Sequence, residues 1–389
     1  FRRVLFRSRR RIRNSSAPWT RCGSRRRDRP GPAGQGPGRT GRDSDAPPPS
    51  RRSSTGCRPF VPHAPTDTLS RRHAILRQAM WDAAVDALLL FSLPNIAWLT
   101  NFAGSSAILL VTPDRVRFLT DSRYVTAVED RQRTPHACPG LELDLVEGSA
   151  DATLARVVSG CAAARVGFEA AHLSVSRFRW LEAALADTGS KVALVPVEGV
   201  VEAARSVKDA YELGVLRRAG AMLSEVARAI PSLARPGMEE RDVALAIDTA
   251  IRRAGFEKPA FDTIVASGPN SALPHARPTN RRLGENDLVV LDFGGVYDSY
   301  CVDLTRMVSV GSPSGRAREV HAAVRAAHDR AIEAVRPGAS RFDIDAAARD
   351  VLTAAGMGAA FGHGTGHGLG LEVHEEPRIA RREIGRAHV

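Results

Sequence analysis

Hydrophobic and polar residues are patterned along this chain in two textures. From Thr68 to Ala84, TLSRRHAILRQAMWDAA, the positions of Leu69, Ile75, Leu76 and Met80 lie near helical spacing and predict an amphipathic helix. Short apolar runs follow in DALLLF, SAILLVT and VRFLTDSRY, which read as strands broken by Pro and by an Asn-Phe-Ala-Gly turn. RVGFEA and KVALVPV predict further strands, with a helix around 176–187 between them. Roughly 66–200 is therefore an α/β domain with no catalytic motif of its own.

From Lys208 the texture changes. DAYELGVLRRAGAMLSEVARAI is helical, and PGMEERDVALAIDTAIRRAGF predicts a second helix with acidic residues in its first turn. A strand, FDTIVAS, precedes a polar loop, GPNSALPHARPTNRRLGEND. DLVVLDFGGVYDSYCVDLTRMVSV reads as a hairpin. Two more helices follow, GRAREVHAAVRAAHDRAIEAV and RFDIDAAARDVLTAAG, and then a glycine-histidine stretch, GHGTGHGLGLEVHEEP, at 362–377. No internal repeat is present.

The formal charge of +12 invites a nucleic-acid reading, but its distribution removes that. Residues 1–60 hold 17 arginines, no lysine and three acidic residues, whereas the other 329 residues hold 38 basic and 40 acidic side chains. No nucleic-acid partner is expected of that near-neutral remainder. No apolar run reaches the length of a membrane span, so no membrane partner is expected either. The five cysteines are scattered and without CxxC spacing, which suits a reducing compartment, the cytoplasm.

Both ends look foreign to the rest. FRRVLFRS at the start is what a common sequencing-adapter sequence encodes. Its complementary strand, read one base out of frame, gives EIGRAHV and a stop, and EIGRAHV is Glu383–Val389. Residues 1–62 are accordingly expected to be disordered and non-native, with Val61 a candidate GTG start. Residues 383–389 are expected to be an adapter-like tail on a chain cut short. Between them the sequence divides into 63–200 and 201–382.

The hairpin carries the first candidate chemistry. With a turn centred on Tyr297-Asp298, Asp292 lies directly opposite Asp303 on one face. Like charges so placed destabilise a sheet unless a divalent cation lies between them, and hard oxygen ligands suit an ion such as Mn²⁺. The bland alternative is that one Asp simply points to solvent. In GHGTGHGLGLEVHEEP the glycines forbid a helix, so His363 and His367 are not a helical HxxxH pair. Nor does His374 begin HExxH, because Arg378 stands at the second His position. Three histidines on a glycine-rich backbone downstream of two aspartates still favour a site. There is no GxSxG elbow and no Walker A loop, and Cys301 reads as packing rather than nucleophile.

Taken together, His275 in LPHARP, Asp292 in LDFGG, Asp303 in VDLTR and the HGTGHGLGLEVHEEP stretch resemble the creatinase/prolidase/methionine-aminopeptidase superfamily. The likeness is greatest to Xaa-Pro aminopeptidases and Xaa-Pro dipeptidases, and TDSRY at 120–124 is similar to their N-terminal domain. The resemblance implies an α/β (α+β) fold: a small creatinase/prolidase-type α/β domain, then a pita-bread catalytic domain that is incomplete here. It implies two divalent metal ions, Mn²⁺ with Co²⁺ or Zn²⁺ as alternatives, held by two Asp, one His and two Glu. Asp292 matches the first Asp, Asp303 the bridging Asp and His367 the His ligand. His275, His363 and His374 match histidines lining the substrate site, with His374 on the scissile peptide.

The two Glu ligands, one of them the general base, are expected beyond Val389. Glu375 and Glu376 match a supporting HExP segment instead. Substrates would be peptides with proline in second position, and the assembly a homodimer or homotetramer. The competing reading is a non-catalytic module that uses the same cleft to bind peptides or proteins.

Overall fold

The computed structural model describes residues 63–381. The expectations for 1–62 and for the tail from 382 onward, including the proposed start at Val61, lie outside them.

The first apolar stretches build one mixed sheet. Its strands are β1 (Ala87–Leu90), β2 (Ile108–Val111), β3 (Val116–Thr120), β4 (Leu141–Leu145), β5 (Arg165–Glu169) and β6 (Ala193–Val197), in the order β4-β3-β2-β1-β5-β6. β1 and β2 are buried at every position, which is why they read as unbroken apolar runs rather than alternating ones. The helices are α1 (Thr66–Asp82), α2 (Leu93–Thr100), α3 (Val125–Gln132), α4 (Ala150–Ser159), α5 (Val175–Asp187) and α6 (Val200–Ser206). Two apolar cores form, one with Leu69, Leu88, Trp98 and Phe118, the other with Leu89, Leu110, Val158 and Leu181.

Several elements differ from the sequence reading. The Pro-Asn segment expected to be a turn is α2, with Pro94 inside its first turn, where a missing N–H costs nothing. The sequence reading does not include α3, α4, α6 or β4, although Leu141, Leu143 and Leu145 of β4 alternate with Glu142 and Asp144. TDSRY does not extend β3: the strand ends at Thr120 and Asp121–Tyr124 form a turn into α3.

The second half contains α7 (Ala210–Ala229), α8 (Glu240–Arg253), β7 (Lys258–Pro259), β8 (Ile264–Ser267), β9 (Leu288–Tyr297), β10 (Tyr300–Ser309), α9 (Gly315–Ala334), α10 (Arg341–Ala354), β11 (Gly366–Gly368) and β12 (Glu375–Ile379). α7 begins with a reciprocal capping box between Asp209 and Glu212. α8 has Glu240 and Asp242 in its first turn and Arg252 and Arg253 in its last, in the sense the helix dipole favours. β9 is the centre of an antiparallel sheet, flanked by β10 on one side and by β7 and β8 on the other. Along β9, Val289, Leu291 and Phe293 point into a core with Leu216, Val243 and Ile247, leaving Asp292 on the opposite face. β11 and β12 pair as a separate ribbon.

Candidate metal centre

The hairpin turn is one residue later than the sequence suggested. Asp298 (φ 52°) and Ser299 (φ 64°) both take left-handed conformations, the geometry of a two-residue hairpin turn. Neither is the glycine that usually marks such a turn. Tyr297 therefore pairs with Tyr300, Gly294 with Asp303 and Asp292 with Thr305. The expected direct opposition of Asp292 and Asp303 is thus corrected to a diagonal one. Moving the turn by one residue moves each partner by two, so both carboxylates keep the same face. Gly294, opposite Asp303, has no room for a side chain. A Cβ there would run into the Val302 carbonyl and the Phe261 ring.

The two carboxylates interact. Burial pushes the Asp303 carboxyl up to about 6, and the neighbouring Asp292 adds to it, while His367 opposes. Thr305 donates its hydroxyl to Asp292 Oδ1 at 2.7 Å, which fixes that carboxylate on the sheet face. His367 sits on β11 with Nε2 at 3.7 Å from Asp303 Oδ2. Its Nδ1 lies 3.0 Å from the Gly368 carbonyl, so a proton on Nδ1 leaves the Nε2 lone pair facing the carboxylates. The His367 and His374 rings lie 4.3 Å apart. Burial depresses the His374 imidazole, and His367, Arg378 and His275 add to that, placing His275 in the same electrostatic neighbourhood.

Five of the six candidate residues thus share one region: Asp292, Asp303, His367, His374 and His275. The contacts of His363 are local: its ring packs edge-on against Phe361 at 4.9 Å and its Nδ1 faces the Gly364 carbonyl at 2.7 Å. Among the described residues, no three His, Cys, Asp or Glu side chains converge tightly enough to hold a metal ion. The donors present are of the right kind, carboxylate oxygen and imidazole, but form a partial set.

The glycine-rich segment is pinned along its length, mostly by residues the sequence gave no reason to single out. At its start, Asp345 accepts from Thr365 N (3.1 Å) and Oγ1 (2.7 Å), while Arg349 donates to the carbonyls of Phe361 (2.7 Å) and His363 (2.9 Å). In its middle, Cys301 N donates to the Gly370 carbonyl at 2.7 Å. Burial pushes the Cys301 thiol up to about 12, in keeping with a packing role. At its end, Glu375 is held by Arg205 and by Lys208 Nζ at 2.7 Å. Burial opposes its ionisation, but these two cations outweigh that and hold it below the usual carboxylate range. Glu375 is committed to a salt-bridge network, the supporting role expected of it.

The loop bearing His275 is framed the same way. Glu240 Oε1 accepts from Ser267 N and Oγ, both at 2.7 Å, and Oε2 from Thr279 N (3.0 Å) and Oγ1 (2.6 Å). Thr305 also carried a sequence signal: two positions from Asp303 in a strand, it shares that residue's face.

Comparison with known proteins agrees with this arrangement. Residues 72–207 match the creatinase/prolidase N-terminal domain, and residues 214–388 match metallopeptidase family M24. An uncharacterized peptidase of Bacillus subtilis, YqhT, is 34% identical over 307 residues, 79% of this chain and 84% of that one. The Xaa-Pro dipeptidase of Pyrococcus furiosus is 39% identical over 185 residues, a match that spans 48% of this chain and about half (53%) of that protein. Among solved structures, an Xaa-Pro dipeptidase from Bacillus anthracis superposes with a TM-score of 0.75 at 32% identity, covering 81% of this chain and 85% of that one. With a creatinase-type α/β domain in front of a pita-bread domain that brings two aspartates and a histidine together, the chain belongs to metallopeptidase family M24.

Proposed function

We propose that this protein hydrolyses the peptide bond preceding proline, as an Xaa-Pro aminopeptidase or dipeptidase, and that Asp292, Asp303 and His367 are ligands of a pair of divalent ions. Mn²⁺ is the expected metal, with Co²⁺ or Zn²⁺ as alternatives. The observation that carries this reading is that Asp292 and Asp303 share one face of β9–β10, with His367 Nε2 3.7 Å from Asp303 Oδ2 and His374 beside it.

Family M24 implies divalent metal, and a bound pair would supply Lewis acidity and a water of lowered pKa. The chain's own residues do the rest. Asp303, which neighbours both Asp292 and His367, would be the carboxylate shared by such a pair. Thr305 orients Asp292. His374, kept neutral by its surroundings, can donate one N–H to the carbonyl of the scissile peptide and stabilise developing negative charge. His275 and His363 line the substrate side. The bond before proline is a tertiary amide with no N–H and a fixed ring, which favours a dedicated pocket. We place the protein in the cytoplasm as a homodimer or homotetramer. Cys138, Cys161 and Cys301, the described cysteines, are free thiols, which supports a reducing compartment.

The test is hydrolysis of Ala-Pro against Ala-Ala by the purified protein loaded with Mn²⁺. Cleavage confined to Ala-Pro and lost in Asp303→Asn is expected. A folded, metal-loaded protein that cleaves neither would overturn the reading in favour of a non-catalytic binding module. The loose spacing of the described donors is the observation that favours that alternative.

A further inference from the structure

We propose that the N-terminal domain takes part in the peptidase site: Asn95 and Glu169 are positioning residues that set the backbone bearing His374, acting through Arg205 and Glu375. The inference rests on the proposed role of His374 at the scissile peptide. Among the described residues no hydrogen bond holds the His374 side chain, and its ring contact is His367 at 4.3 Å. Its place is therefore set by the segment that carries it, 370–376.

That segment lies between the two domains. Leu371 packs against the core of Leu69 and Trp98 and also against that of Leu216 and Val243. On either side of Val373-His374, Glu372 and Glu375 converge on one guanidinium. Arg205 Nη2 donates to Glu372 Oε2 at 2.9 Å and to Glu375 Oε1. Glu375 Oε1 also accepts the Glu372 N–H at 3.1 Å, which closes the turn. Two carboxylates anchored by charge-assisted bonds within four residues leave the His374 backbone little freedom.

Arg205 is aimed in turn by the N-terminal domain. Strands β1 and β5 run parallel and side by side. At their C-terminal ends Glu169 Oε2 accepts from Phe91 N (2.6 Å) and Ser92 N (2.8 Å). Glu169 Oε1 accepts from Asn95 Nδ2 at 2.5 Å, and Glu202 Oε1 accepts from the same amide at 2.6 Å. With its N–H groups taken by two carboxylates, the Asn95 amide has one orientation, and its Oδ1 accepts from Arg205 Nη1 at 2.5 Å. The guanidinium is planar, so fixing Nη1 fixes Nη2 and, with it, both glutamates. Glu169, Asn95 and Arg205 are all buried, so water does not compete for these bonds.

The experiment is NMR of the metal-free full chain at pH 7.5. It reads the His374 Cε1–H resonance, assigned by its loss in His374→Gln, and hydrogen exchange at the Glu372 amide. Asn95→Ala is expected to shift the resonance and to speed that exchange about tenfold to a hundredfold, the effect of losing one charge-assisted bond. Glu169→Gln is isosteric and carries the test should Asn95→Ala unfold. It sets an N–H donor among groups that need an acceptor, and should move both signals in the same direction. Leu185→Ala opens a cavity in the other core of the same domain, and should lower stability while moving neither signal. Unmoved signals in the folded variants, or equal changes in Leu185→Ala, would each overturn the proposal. Neither readout needs metal or turnover, so its failure is distinct from failure of the peptidase reading.

Discussion

Asp303 pairs across the hairpin with Gly294, and Asp292 stands one diagonal step away on the same face. In the metal-free protein this neighbour and the surrounding burial raise the Asp303 carboxyl to about 6. A carboxyl raised on folding contributes stability that is present below its unfolded pKa and lost as pH rises through the folded value. At neutral pH that loss is complete. Asp303→Asn is therefore expected to stabilise the metal-free chain by on the order of 2 kcal/mol at pH 7.5 and by little near pH 4. Urea midpoints at the two pH values check this. An equal effect at both would mean that the carboxylates do not repel.

Arg205 joins the two halves of the molecule. Almost fully buried, it contacts Asn95 Oδ1 at 2.5 Å, Glu372 Oε2 at 2.9 Å and Glu375. Removing one partner of a buried ion pair leaves the other charge uncompensated. Arg205→Met is thus expected to cost about 3–5 kcal/mol in chemical denaturation. Arg205→Lys should restore little of it, because one ammonium cannot reach the same acceptors in fork geometry. Lys208→Met, at the edge of the network, should cost less than either.

Much of this fold was legible because its strands and long helices carry period and length together. β1 and β2 appear as apolar runs, and α7 and α8 as amphipathic stretches with acidic starts. The hairpin was legible in kind but not in register. Asp298 and Ser299 lack the glycine that announces a left-handed turn, and a one-residue error there changes every pair. The Asp and His residues of the metal centre stood out because like charges and glycine-spaced imidazoles have few structural uses. Arg205, Glu240 and Asp345 did not stand out. Each is one charged residue in or beside an ordinary helix, and its importance comes from partners more than a dozen residues away in sequence.

Asp298, at the tip of the hairpin, gives a second pH dependence. Burial pushes its carboxyl up to about 7, while the Tyr211 hydroxyl bond and the charges of Arg131 and Arg72 oppose this. Its contribution to stability is present in acid and lost as pH rises from about 4 to 7. His63, 3.9 Å away, is pushed down to about 4, chiefly by burial. Its contribution has the opposite sign and is lost as pH falls below the unfolded value. The two partly cancel in the unaltered protein. Asp298→Asn keeps an acceptor for Tyr211 without the charge, so its melting temperature relative to the unaltered chain should rise steadily between pH 4.5 and 8. A difference that does not vary with pH would show that Asp298 is ionised throughout.

The described donors number two carboxylates and one imidazole around Asp303, with Glu375 withheld by Arg205 and Lys208. A divalent ion held by so few protein ligands keeps most of its water and gains little from the site. The polypeptide of this sequence is therefore expected to bind Mn²⁺ weakly, with a Kd on the order of 0.1–1 mM, and to release no proline from Ala-Pro. Asp292→Asn and His367→Ala should each remove the residual binding, whereas Glu376→Gln should leave it unchanged. Titration followed by Mn²⁺ water-proton relaxation reads the affinity directly, and a coupled proline assay reads the activity. Micromolar affinity together with hydrolysis would show that these ligands suffice. Weak binding unaffected by Asp292→Asn would instead remove the hairpin from the metal site altogether.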